Sequence, residues 1–339
     1  MSRCSSAEGY IDSTYSSDLL NEAIPNQVEQ WDNLQSKKWA LKKYREEYLG
    51  IDNFGRRPNI ITEYEITESE TDNLIEKAVP KVKNKNTIEN GNLASLNKNG
   101  RDSRITFDPI EHRYFIDGNP DTISVTQLID KFFPEFDSVL RASNLRPDHE
   151  LFGLPVSEII QIWEQRGLDS ALKGTALHQA IENYYNDNQY ETDMPEFQQF
   201  LSFKQKYPNM IPYRSEWRIF DEDLLVAGTI DMVYKKEDGS LYMFDWKRSE
   251  KVVKSDGSIR NDTFQYGFGE LGHLGENSFN RYCLQQNIYK AILEKRYKQK
   301  ISSMNLLVMH ETYDRYHHIK IPNMDREVNY IFNYAFLTK

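Results

Sequence analysis

Three residues in the stretch from Leu225 to Ser249 could do chemistry together: Asp231, Asp245 and Lys247. Asp245 and Lys247 are two apart on a segment rich in β-formers, so on a strand they share a face. A second such segment, Val226 to Tyr234, precedes it, and the polar run Lys235 to Ser240 between them contains an Asp-Gly pair, a strong hairpin signal. A three-residue loop, Glu237 to Gly239, sets Lys236 opposite Ser240 and Asp231 opposite Asp245. A two-residue loop shifts the register by one and separates the carboxylates. Two carboxylates facing across a sheet repel, and a divalent cation between them reverses that sign. Mg²⁺ and ions like it take oxygen ligands, one or two of them carboxylates, beside substrate phosphate. A neighbouring lysine can hold the attacking water or offset charge on the phosphate. The chemistry spelled is metal-assisted phosphodiester hydrolysis. The competing reading is a solvated hairpin with ordinary surface charges, and the hairpin alone does not separate the two.

The elements around it must supply what is missing. The run beginning Gly174-Thr175 opens a helix with Thr175 as its cap, placing His178 and Glu182 four apart on one face. A preceding helix, capped by Ser157, runs through Trp163 and ends near Gly167. Tyr213 to Phe220 alternates as a strand, with Ser215, Trp217 and Ile219 on one side and Glu216 and Arg218 on the other. Paired with the central hairpin, this strand would bring Glu216 to the site as a further acidic group. A helix over Asn280 to Lys298 carries Gln285 and Tyr289 one turn apart. Shorter elements follow the same logic: strands at Ile105–Phe107, Tyr114–Ile116, Met304–His310 and His317–Ile321, and helices from Ser124, Pro195 and Arg326. After Ser249 comes a loop with Lys251, Lys254 and Arg260, then a Gly-rich aromatic run. It reads either as a mobile flap touching a nucleic-acid backbone, with Tyr266 or Phe268 stacking on bases, or as an ordinary surface loop.

The totals narrow the classes. With 339 residues and a net charge of -10, the chain is not a nonspecific basic coat for DNA, though a local basic groove is compatible with that balance. Cys4 and Cys283 cannot build a four-cysteine zinc or iron–sulfur site and favour a reducing compartment. There is no apolar run long enough for a membrane span, no apolar core of a signal peptide, and Glu8 and Asp12 fit a transit peptide poorly. The expectation is an intracellular, soluble protein without a membrane partner. Residues 1–103 read as an extension: Ser-rich and loose to about Ile24, a candidate helix over 26–48 that could recruit a partner, then an acidic and Asn/Lys-rich linker over 62–102. The folded domain is expected over 104–339.

Taken together, the motifs resemble the PD-(D/E)XK nuclease superfamily, and within it the RecB-like branch that includes the Cas4 nucleases and the mitochondrial genome maintenance exonucleases. GTALH with His178, AGTID with Asp231, FDWKRSEK with Asp245 and Lys247, and LQQNIY with Gln285 and Tyr289 occur in that family's order. The resemblance covers about Arg104 onward. It implies an α/β, restriction-endonuclease-like fold, a mixed β-sheet core flanked by helices. It implies that Asp231 and Asp245 bind Mg²⁺ or Mn²⁺ with the backbone carbonyl of Trp246, and that His178 is a ligand or adjusts a second ion. Lys247 would activate water, Gln285 and Tyr289 would hold DNA or brace the lysine, and Arg248, Lys251 and Lys254 would assist in holding nucleic acid. The implied activity is DNA hydrolysis by an exonuclease on single-stranded or end-containing DNA, alongside a replication, repair or mobile-element protein. No iron–sulfur cluster can form, and no helicase P-loop is present. The alternative is a catalytically silent nuclease-fold module that binds nucleic acid or a protein.

Overall fold

The computed structural model describes residues 93–108, 111–187, 192–254, 256–261, 263 and 265–338. The loose segment expected before Ile24, the helix expected over 26–48 and most of the linker lie outside these residues. The end of that linker is packed. Helix α1 (Leu93–Leu96) buries Leu93. The Asn97 amide donates to the Tyr213 carbonyl at 2.8 Å, and Asp102 accepts from Arg214 at 2.9 Å and from the Trp217 indole at 3.2 Å. These partners lie far along the chain, so no local periodicity announces them.

Strands β1 (Ile105–Asp108) and β2 (Arg113–Ile116) form the expected antiparallel hairpin. Strand β3 (Ile123–Ser124) runs into helix α2 (Val125–Asp130), where Ser124 and Gln127 satisfy each other's backbone N–H in a capping box. Helix α3 (Ser138–Ser143) is capped by Asp137. Helix α4 (Val156–Asp187) corrects the sequence reading, because the two helices expected on either side of Gly167 and Gly174 are one. An interior glycine costs only about 1 kcal/mol relative to alanine, and no proline interrupts the stretch. Leu177, Ala180, Ile181 and Tyr185 bury one side of its C-terminal half, which outweighs that cost. His178 therefore sits inside a continuous helix and not in a first turn.

Helix α5 (Pro195–Lys206) precedes strands β4 (Ile211–Asp221), β5 (Val226–Lys235) and β6 (Leu241–Arg248). Helix α6 (Ser278–Arg296), strands β7 (Ile301–Met309) and β8 (His317–Lys320), and helix α7 (Asp325–Leu337) complete the described chain. Six strands make one mixed sheet: β5 lies antiparallel to β4 and β6 and parallel to β3, while β6 is parallel to β7 and β7 antiparallel to β8. Because β4 occupies one edge of β5 along its length, β3 and β6 must divide the other edge. The β5–β6 ladder stops at Met232–Phe244, and beyond it β6 continues with β7 while the start of β5 pairs with β3 at Val226 and Ala227. The sheet forks there.

Helices cover both faces. Helices α2, α6 and α7 pack with Ile230, Val233, Met243, Leu306 and Val308. Helices α4 and α5 pack with Met232, Tyr234, Phe244, Trp246 and Leu307. The Trp246 ring lies 5.7 Å from that of Phe200 on α5. With Trp246 committed to the α5 side, strand alternation turns Asp245 and Lys247 toward the other. No helix among the described residues is long and apolar enough to cross a membrane.

Candidate metal centre at the fork of the sheet

The hairpin adopts the three-residue loop. The Lys236 N–H donates to the Ser240 carbonyl at 2.8 Å, and Gly239 takes a φ of +81°, a conformation that glycine adopts without penalty. Lys235 then faces Leu241 and Met232 faces Phe244, the register in which 231 meets 245. At that level side-chain bonding replaces main-chain pairing: Asp231 Oδ2 accepts the Trp246 N–H at 2.7 Å. The carboxylate thus anchors β6 where the strands part, and both Asp231 and Asp245 are buried.

Lys247 Nζ lies 2.6 Å from Asp245 Oδ2 and 4.7 Å from the centre of the Tyr282 ring on α6. Burial, and then the charge of Asp231, push the Asp245 carboxyl up to about 6 against the pull of Lys247. Burial raises Asp231 too, with His178 and Lys247 opposing it. Burial works against the charge on Lys247, but Asp245 and Asp231 outweigh it and keep the ammonium protonated.

His178 and Glu216 complete the cluster. The Trp246 carbonyl can only accept, so the 2.9 Å contact places a hydrogen on His178 Nε2 and turns Nδ1 toward the acids. Nδ1 lies 3.7 Å from Glu216 Oε1 and 3.7 Å from Asp231 Oδ2. Glu216 is level with Asp231, since its neighbours Ser215 and Trp217 face Met232 and Ile230. Its φ of +43° is left-handed, which costs a non-glycine residue roughly 1–3 kcal/mol and persists only where the surroundings hold it. A cleft of about 320 Å³ opens beside Glu216, lined also by Glu182, Asn186, Ser215 and Arg218.

The donor set suits a hard divalent ion. One ligand atom each from His178, Glu216 and Asp231 lies within 4.8 Å of the others, and Asp245 adds a third carboxylate beside Asp231. That crowding of negative charge is what a bound cation would relieve. The Trp246 carbonyl, expected among the ligands, is bonded instead to Nε2 on the far side of the imidazole, so while that bond stands it cannot share an ion held by Nδ1. Burial disfavours charge on His178, but Asp231 and Glu216 outweigh it and hold the imidazole up to about 9. An ion taking Nδ1 must therefore displace a proton. Mn²⁺ uptake at pH 7 is expected to release about one proton per ion and to tighten as pH rises toward 9. Calorimetry in two buffers of different ionisation enthalpy measures this, and zero release would remove His178 from the ligand set.

The other expected residues divide. Tyr289 on α6 packs against Gly228 so closely that a Cβ there would lie 2.5 Å from the ring, which explains the glycine in AGTID. Gly228→Ala is expected to push Tyr289 off β5 and lower the melting temperature by several degrees, with about 1–3 kcal/mol lost to overpacking. Gln285 sits one turn earlier, its amide 3.5 Å from Thr126 Oγ1. Arg248 does not lie where nucleic acid could use it. Its side chain is 4% exposed, with Nε 2.7 Å from Glu196 and a terminal nitrogen 2.8 Å from Glu311. Alternation on β6 turns it inward, opposite to Lys247. Lys251 is exposed and Lys254 half-buried on a loop that is tied down: Val252, Val253 and Leu271 are buried, and the Phe268 N–H donates to the Phe132 carbonyl at 2.8 Å. Tyr266 and Phe268 remain half exposed on that loop. Sequence reasoning missed Tyr282 and Glu196. The available signal for Tyr282 was its place three residues before Gln285, on the same helical face.

No family model matches the chain, and no curated protein matches it. Among solved structures, that of SSO0001 is similar at 13% sequence identity over 79% of this chain and 86% of that one, with a TM-score of 0.30.

Proposed function

We propose that this chain is a metal-dependent deoxyribonuclease of the RecB-like PD-(D/E)XK kind, acting on single-stranded or end-containing DNA. One observation carries the reading: Asp231, Asp245, Lys247 and His178, from β5, β6 and α4, converge where the sheet forks. Asp231, Asp245, His178 and Glu216 would hold Mg²⁺ or Mn²⁺. When bound, the ion supplies charge neutralisation at the phosphoryl oxygens and lowers the pKa of a bound water. Lys247 orients the attacking water and faces the developing charge with its N–H donors. Asp245 and the Tyr282 ring hold that ammonium, and Asp231 keeps the two strands in register at the fork. The water oxygen bonds to phosphorus as the ester oxygen leaves with a proton.

The test is degradation of end-labelled single-stranded DNA, linear duplex and closed circles with Mg²⁺ or Mn²⁺, with Asp245→Asn as control. Loss of linear substrates but not circles, abolished in the variant, is the expected result. Cutting of circles would make the protein an endonuclease. No cutting with either metal, together with no carboxylate-dependent Mn²⁺ uptake, would favour a module that only binds nucleic acid or a protein.

A further inference from the structure

We infer that Tyr282 is the positioning residue for Lys247, its ring face holding the ammonium in line with the carboxylate pair. The inference rests on the nuclease reading of the site. The side chain of Lys247 is 18% exposed and has two close partners, Asp245 Oδ2 at 2.6 Å and the Tyr282 ring at 4.7 Å. These differ in kind. Asp245 belongs to the cluster suited to a divalent ion, and a carboxylate turned toward such an ion shares its charge and holds the lysine less well. The ring attracts an ammonium through its quadrupole, accepts no proton from it and is no ligand for a hard cation. It is the partner whose hold does not depend on what the carboxylates are doing.

The fold fixes that ring. The Asn277 side chain caps α6 by accepting the Asn280 N–H at 2.9 Å. Arg281 bridges Glu276, at 2.9 Å, and Asp130, and its guanidinium lies 4.9 Å over the Phe133 ring. These contacts set the rotation of the first turns of the helix. Tyr282, Gln285 and Tyr289 then fall at i, i+3 and i+7 on one face. That face meets Lys247, Thr126 and Gly228 in turn.

The experiment compares wild type with Tyr282→Phe, Tyr282→Leu and Tyr282→Met, the last filling similar space without a ring. Turnover of linear DNA should fall about tenfold in kcat for Leu and Met, with KM and Mn²⁺ affinity by calorimetry unchanged. Phe should restore kcat, since it keeps the ring. A second measurement needs neither metal nor activity: NMR of metal-free protein with labelled lysine Cε positions, assigned through Lys247→Arg. Lys204, Lys206, Lys235 and Lys236 also lie over rings, so the resonance read is the one that Lys247→Arg removes: it should be ring-shifted in wild type and Tyr282→Phe and unshifted in the Leu and Met proteins. Normal kcat in folded Leu and Met variants would overturn the inference. So would a Phe variant as slow as Leu, or a Lys247 resonance without a ring shift in wild type. If wild type itself cleaves no DNA, the nuclease reading falls, and the NMR measurement alone decides whether the ring holds Lys247.

Discussion

The Asp245→Asn protein is expected to lose Mn²⁺ uptake and to cleave DNA at least about a thousandfold more slowly than wild type, with only a small change in melting temperature. Asparagine keeps the shape of the side chain and an oxygen that can accept from Lys247, whose ammonium lies 2.6 Å from Asp245 Oδ2. It removes a buried charge that the site opposes, the carboxyl being pushed up to about 6 by burial and by Asp231. The substitution also takes from the Lys247 ammonium its nearest counter-charge and leaves Asp231 to hold it, so the two effects on stability oppose each other. Calorimetry with Mn²⁺, a cleavage time course and a thermal melt on one preparation check all three parts. A variant that still binds Mn²⁺ and still cleaves would take Asp245 out of the metal centre.

Lys247→Met should show the second large effect, in stability as well as rate. Cleavage is expected to fall by at least about a hundredfold, because the donor proposed to face the attacking water is lost. Stability should become more sensitive to pH. In wild type the Asp245 carboxyl sits above its ordinary value of 3.8, at about 6. Across that window the folded state binds more protons than the unfolded state, so stability falls as pH rises. The attraction and hydrogen bond from Lys247 oppose the shift, leaving His178 as the other group that lowers it. Removing Lys247 moves the folded pKa up and extends the window toward neutral pH. Leaving a buried charge without its partner costs about 3–5 kcal/mol at most, limited by how readily the carboxyl takes a proton. Scanning calorimetry at pH 5 and pH 8 without metal should show a wider gap in melting temperature than wild type, and Mn²⁺ should narrow it. A gap equal to that of wild type would mean that Lys247 does not stabilise the Asp245 charge.

Much of the site was legible because short-range rules govern it. Alternation on a strand puts Asp245 and Lys247 on one face, and the observed 2.6 Å ion pair follows from it. The loop length and the left-handed Gly239 set the β5–β6 register. A helix repeat relates Gln285 to Tyr289, and the mixed sheet flanked by helices was expected from the family resemblance of the motifs. The same rules failed where packing overrode them. Gly167 and Gly174 read as helix ends, yet burial of Leu177, Ala180 and Ile181 carries α4 through both. Asn97 and Asp102 read as linker because their partners lie on β4, far along the chain.

The sequence by itself determined which groups the chain possesses and their direction relative to their own strand or helix, because φ, ψ and the pleat act within a few residues. The tertiary structure alone decided what each group meets. It turns Arg248 inward to Glu196, brings Glu216 round in a left-handed bend to His178, and lays Tyr282 against Lys247. The physical reason is that these meetings join elements separated by tens of residues. Their relative placement is set by how α4, α5 and α6 fill the two faces of the sheet, and burial and close packing settle that arrangement only when the whole chain folds.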